Sequence, residues 1–189
     1  MEEFELRILE VMEEQHSVGF TGRVNVLSKF NRQYMGHLVF KDGEVIQTIL
    51  TPQKGLKALS QVLIQEYNLK SFNYVVEPEI VDESEKQIHY PFANLKHKLA
   101  DVLKQYRESL KLRPPDSVRI LIQADFVSSA YTVTPQEFQV LEVLTEYNHA
   151  HDVYQHCDLL DHEITLALVS LRMKKALKVL PRLESPQVK

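Results

Sequence analysis

Residues 161–176 (DHEITLALVSLRMKKA) carry apolar side chains on two opposite sides of one helical stretch. At about 100° per residue, Ile164, Ala167, Leu168 and Leu171 form one stripe, and Leu166, Val169 and Met173 form a second nearly half a turn away. One stripe fills a domain's own core. The other needs a different partner, and Leu, Val and Met are poor matches for a base edge or a phosphate. The pattern therefore points to protein contact, either with another molecule or with another part of the same chain.

A chain of 189 residues, 44% hydrophobic and 25% charged, has the make-up of one ordinary globular domain or two small ones. It contains no run of about 18 apolar residues, and its start, MEEFELRILEVMEE, is too acidic for a signal peptide. The expectation is a cytoplasmic protein with no membrane insertion. The single cysteine, Cys157, excludes an internal disulfide and gives no zinc-finger spacing. A net charge of −4 weighs against a nucleic-acid partner, which is bound through clustered Lys and Arg.

Residues 2–14 place Phe4, Ile8, Val11 and Met12 on one face among six glutamates, as in an amphipathic helix capping a sheet. Residues 22–27, 34–40 and 44–50 are rich in β-branched and aromatic side chains, and Lys41-Asp42-Gly43 is the signal of a tight antiparallel hairpin. From Pro52 the spacing turns helical, with Leu56, Leu59, Leu63 and Tyr67 along one side, before residues 71–76 return to strand composition. Five acidic residues in 77–85 predict a solvated connection.

Pro91 and Pro114-Pro115 bracket a helix over 91–112 with apolar residues at 92, 95, 99, 102, 106 and 110. This seam is shorter than the three or four heptads of a dependable coiled coil, so it suits packing within its own domain, with a homodimer as the alternative. Its polar side carries six basic residues against Asp101 and Glu108, and Lys104 and Arg107 are the contact candidates there. Residues 117–123 and 130–133 have strand composition. Thr134-Pro135-Gln136-Glu137 then opens a helix as a capping box, with Phe138, Leu141, Leu144 and Tyr147 as its buried face. A short helix from Asp152 as cap to Cys157, a turn at 158–160, the two-striped helix capped by Asp161 and a wing strand from 177 follow.

The expected fold class is α+β: a small antiparallel sheet with flanking helices over 1–78, an acidic linker and connecting helix over 79–116, and a winged-helix-like, mostly α domain over 117–189.

His149, His151, His156, Cys157, Asp158 and His162 lie within fourteen residues, and all are ligand types that zinc prefers. Helical spacing through Val153, Cys157 and Leu160 turns Cys157 inward and His156 outward, and no C-x-x-C or H-E-x-x-H is present. The expectation is no metal and no cofactor, with His149, His151, His156 and His162 as the minor alternative. The five glycines are dispersed, and the phosphate-cradle and nucleophile-elbow motifs are missing, so no enzyme is expected. A winged-helix DNA-binding transcriptional regulator is the alternative function. Residues 134–180 hold four basic residues against seven acidic ones, and Asp161 and Glu163 would face the phosphates where base-reading side chains usually lie. Arg172, Lys174 and Lys175 suit the negative end of a helix dipole.

GFTGRVNVL, GHLVFKDGEVIQ, QKGLKALSQVL and SFNYVV, spread over residues 19–76, resemble the PATAN-type domain of bacterial signalling proteins. The matching residues are Gly22, Phe40, Gly43, Val45, Ile46, Gly55, Ala58, Leu59, Val62, Leu63, Phe72 and Tyr74, and Gln47-Thr48 departs from the small residue the family commonly has there. The resemblance implies a non-catalytic signalling adaptor in a two-component, motility or development pathway. It also implies another signalling protein as partner, such as a response-regulator receiver. Leu166, Val169 and Met173, with Lys104 and Arg107, are the expected protein-binding residues.

Overall fold

Asp42 and Gly43 both take left-handed backbone angles, φ 49° and 81°, in the computed structural model, so the turn between β2 (Tyr34–Lys41) and β3 (Glu44–Leu50) follows the twist of its strands. The structure describes residues 6–68, 72–82, 84, 86–127 and 132–180, and the side chains of these except Val127. It divides into two compact units, residues 1–104 and 105–189. The fold is mixed α+β.

In the first unit, β1 (Gly22–Ser28), β2, β3, the two-residue β4 (Gln53–Lys54) and β5 (Phe72–Pro78) form one antiparallel sheet in the order β4-β3-β2-β1-β5. Alternation along β1 sends Gly22, Val24 and Val26 into the interior. There they meet Ile8, Val11 and Met12 of α1 (Arg7–Ser17) and Ala58, Leu59, Val62 and Leu63 of α2 (Gly55–Tyr67). Phe4, expected on the α1 face, lies outside the described residues. Glu66 near the end of α2 accepts the free Ile8 N–H at 2.9 Å and the Tyr74 hydroxyl at 2.7 Å, capping α1 from a neighbouring element. Burial pushes the Glu66 carboxyl up from its ordinary value, and these hydrogen bonds only partly offset that.

The β2–β3 register shifts between Val39 and Phe40, leaving Ile46 as the extra residue of a bulge. Its carbonyl accepts the N–H groups of Gln87 and Ile88, both at 2.8 Å, and so ties the returning chain to β3. Ile88 and then Phe92, Leu95, Leu99 and Leu103 of α3 (Phe92–Leu110) complete the first core. From Phe92 to Leu103 the α3 seam thus belongs to the first core. It passes through Leu103 rather than Val102, which is half-buried, as a straight helix at 3.6 residues per turn requires.

In the second unit, β6 (Arg119–Ile122) pairs antiparallel with β7 (Leu177–Leu180), and Arg119 also bridges His149. Between them run the short α4 (Ala124–Val127), α5 (Pro135–Glu146), α6 (Ala150–His156) and α7 (Asp161–Met173). Ile164, Ala167, Leu168 and Leu171 of α7 pack with Ile120, Val140, Leu144 and Val153, as the first stripe requires. Cys157 is buried and His156 exposed, as the helical spacing implies.

Three local expectations are corrected. The inner face of α5 is Glu137, Val140 and Leu144, whereas Phe138 is 59% exposed, because ion pairing draws Glu137 inward and turns Phe138 to solvent. Asp161 is the first residue of α7 and not its cap; Leu160 holds the cap position, with its N–H donated to Glu163 at 2.8 Å. Helix α7 ends at Met173, since Lys175 turns left-handed and the Ala176 and Lys175 N–H groups close on Leu171 and Arg172 as a Schellman motif. The strand expected at 130–133 lies half outside the described residues, and Thr132 and Val133 are not in a strand.

The closest backbone approach in the sheet is at Gly36, where a Cβ would stand 2.0 Å from the Ile49 carbonyl oxygen. Both strands are interior, so neither can move aside freely. Gly36→Ala is expected to cost about 3 kcal/mol in urea unfolding. An unchanged midpoint would contradict this β2–β3 packing.

Candidate functional site

The three residues of the second α7 stripe do not share one environment. Leu166 and Val169 are half-buried, and Met173 is 80% exposed. On neighbouring α5, Phe138 adds another exposed apolar side chain. Phe138 was expected in the core, and the missed signal is the capping-box glutamate one residue earlier.

The rotation of α7 follows from a polar cluster at its far end. Glu137, only 2% exposed, accepts the Thr134 N–H at 2.7 Å, and its own N–H donates to Thr134 Oγ1 at 3.2 Å. The same carboxylate receives Ser170 Oγ at 2.7 Å and Lys174 Nζ at 2.7 and 2.8 Å. Lys174 also donates to the Thr132 carbonyl at 3.1 Å. Burial alone would push the Glu137 carboxyl up, but the hydrogen bonds from Lys174, Ser170 and Thr134 and the lysine charge outweigh it and hold the carboxyl below its ordinary value. Lys174 is therefore a structural cation.

A second cluster occupies the start of α7. Arg113 reaches Asp161 at 2.5 Å and Asp116 at 3.6 Å, and its guanidinium lies 3.9 Å from the centre of the Tyr154 ring. The Tyr154 hydroxyl is 2.7 Å from Thr165 Oγ1, which donates to the Asp161 carbonyl at 2.8 Å. A cleft of about 510 Å³ beyond the end of α7 is lined by Gln123, Asp125, Phe126, Arg172, Lys174, Lys175 and Leu177.

On α3, Lys104 and Arg107 are both exposed. Lys96 of the same helix is paired with Glu13, and Lys98 lies 5.6 Å from the centre of the Tyr90 ring.

The histidines do not converge. His149 lies 3.7 Å from Asp152, His151 3.9 Å from Asp116, and His156 is exposed with its ring stacked on Tyr147 at 4.1 Å. His162 is buried, its ring perpendicular to that of Tyr106 with centres 6.4 Å apart, and its Nδ1 has no hydrogen-bond partner among the described residues. Among the described residues no three His, Cys, Asp or Glu side chains come together to hold a metal ion. Nor is any described helix long and apolar enough to cross a membrane. The chain matches no family model, no curated protein and no solved structure in the comparisons made.

Two pH effects follow from this geometry. Because the Glu137 pKa is lowered on folding, its stabilisation is complete above the ordinary value of 4.5 and is lost as the pH falls through the folded value. Glu137→Gln should cost about 2 kcal/mol at neutral pH, and the variant should show a smaller loss of stability in acid than the wild type; parallel pH profiles in denaturant titrations would refute the pairing.

Burial lowers the His162 pKa, against the weaker upward pull of Glu163 and Asp161. Folding thus favours the neutral ring, and stability should decline as the pH drops below the ordinary 6.5. His162→Phe is expected to flatten the unfolding free energy between about pH 7 and pH 5, a window set by the ordinary histidine value. An unaltered slope there would show that another group titrates.

Proposed function

We propose that this chain is a non-catalytic adaptor of signal transduction that binds another protein through the outer side of α7. The observation that carries the reading is Met173, 80% exposed at the end of a stripe whose other members, Leu166 and Val169, are half-buried. A large apolar side chain on a helix with a full core face is suited to a partner's pocket. Lys104 and Arg107 offer a separate, basic surface for an acidic partner. The PATAN-like pattern of residues 19–76 supports a bacterial regulatory pathway, with a response-regulator receiver as the candidate partner.

The alternative, a winged-helix DNA-binding regulator, draws on Arg172 and Lys175 in the cleft beyond α7 and on the helical order of the second unit. A wing after β7 would fall at 181–189, outside the described residues. Against DNA binding, Asp161 and Glu163 open α7, and Arg113 and Lys174 are already committed to carboxylates.

The test pairs two measurements. Met173→Glu should keep the wild-type stability to within about 0.5 kcal/mol and weaken binding of a purified receiver partner at least about tenfold by calorimetry. Titration with duplex DNA at low and moderate salt should show no salt-sensitive binding. Unchanged receiver affinity, or DNA binding that weakens steeply with salt, would reject the adaptor reading.

A further inference from the structure

The outer strand β5 lacks the usual protections of a sheet edge. Its seven residues pair with β1 from Gly22↔Pro78 to Ser28↔Phe72 without a bulge, whereas β1–β2 and β2–β3 each contain a register shift. Short length, bulges and charged side chains are the means by which an edge refuses a further strand. The opposite edge uses them: β4 has two residues, one of them Lys54, and runs straight into α2. On β5, Val75 and Val76 are 40% and 41% exposed, the only charge is Glu77 and the only proline is the last residue. Among the described residues, no backbone hydrogen bond other than those to β1 reaches this strand.

We propose that β5 is a self-association edge, through which two copies of the chain pair antiparallel about a two-fold axis at Val75 and join their sheets. The β5 sequence is complementary to itself in that register. Val75 faces Val75 of the second copy, Tyr74 faces Val76, Asn73 faces Glu77 and Phe72 faces Pro78, so no like charges stand opposite one another. The surroundings agree. A cleft of about 450 Å³ beside Asn73, Tyr74 and Val75 contains Arg7 and Arg32. Arg7 is engaged by Glu10 and Glu14, while Arg32 has no acidic partner among the described residues, and neither does Glu77 a basic one. The axis that brings Glu77 opposite Asn73 also brings it to the Arg32 side of the second copy, once at each end of the junction. This edge is independent of the α7 docking role, and neither stands or falls with the other.

Sedimentation velocity of the full chain over a concentration series tests the proposal, with circular dichroism as the check on folding. The wild type should form a reversible dimer. Val75→Lys, at an exposed position, sets two lysines opposite each other on the axis and should leave only monomer. Arg32→Glu and Glu77→Lys should each weaken the dimer about tenfold, because each change acts twice across the axis. The double variant Arg32→Glu/Glu77→Lys, which exchanges the charges, should recover the wild-type association. A wild type that stays monomeric overturns the proposal, as does a dimer indifferent to Val75→Lys or a double variant no better than the single ones.

Discussion

The second unit turns on one buried carboxylate. Glu137 closes the capping box of α5 and at the same time receives Ser170 and Lys174 from α7. A carboxylate that is 2% exposed is expensive to bury unless its lone pairs are filled and its charge is balanced. Here the filling comes from two helices, so the start of α5 and the end of α7 cannot separate without exposing an unpaired charge. The same pairing sets the roll of α7 about its axis. With Ser170 and Lys174 towards α5 and Ile164, Leu168 and Leu171 in the core, Met173 lies a further 100° round and must face outward. The exposure of Met173 is thus a consequence of where a charge is buried.

Signals confined to a few neighbouring residues were legible in the sequence. The Asp42-Gly43 turn, the Thr134–Glu137 capping box, the α7 core stripe and the inward turn of Cys157 all depend on spacing within one element. What spacing does not hold is the identity of distant partners. Lys174 lies 37 residues from Glu137, and Arg113 lies 48 from Asp161. A reading limited to periodicity therefore puts Phe138 in the core, treats Asp161 as a cap and leaves Lys174 as a dipole cation. Phe138 and Lys174 are displaced by the long-range Glu137–Lys174 pair, and Asp161 by the local capping of Leu160 by Glu163. The candidate stripe was visible as a pattern, but the graded exposure from Leu166 to Met173 depends on packing that no local rule contains.

The sheet of the first unit shows the same division between local and non-local information. Strand composition marks β1, β2, β3 and β5, and the hairpin turn makes β2 and β3 neighbours. Nothing local requires β5 to return beside β1 instead of β3. Helix α2, which follows β4 and packs against β3, occupies that flank, and the chain re-enters the sheet at its free side. Edge exposure is then a topological outcome: a helix follows directly on one border, and the other ends on an unbulged strand bearing two exposed valines.

Charge in the second unit is spent in a way that bears on what the helices can touch. A helix that reads DNA needs cations free to meet phosphates, and each neutralised phosphate gains its free energy by releasing counterions. Arg113 is instead held by Asp161, Asp116 and the Tyr154 ring, and Lys174 by Glu137. Freeing either for a phosphate would leave a carboxylate without its partner, and at Glu137 that carboxylate is buried. Among the described residues, Arg172, Lys175 and Lys178 at and beyond the end of α7 stay exposed; Asp125 lines the cleft that holds the first two, and Lys175 lies in the left-handed turn that ends α7. Helix α7 thus draws Arg113 and Lys174 into its own packing, while Met173 on its outer side stays exposed.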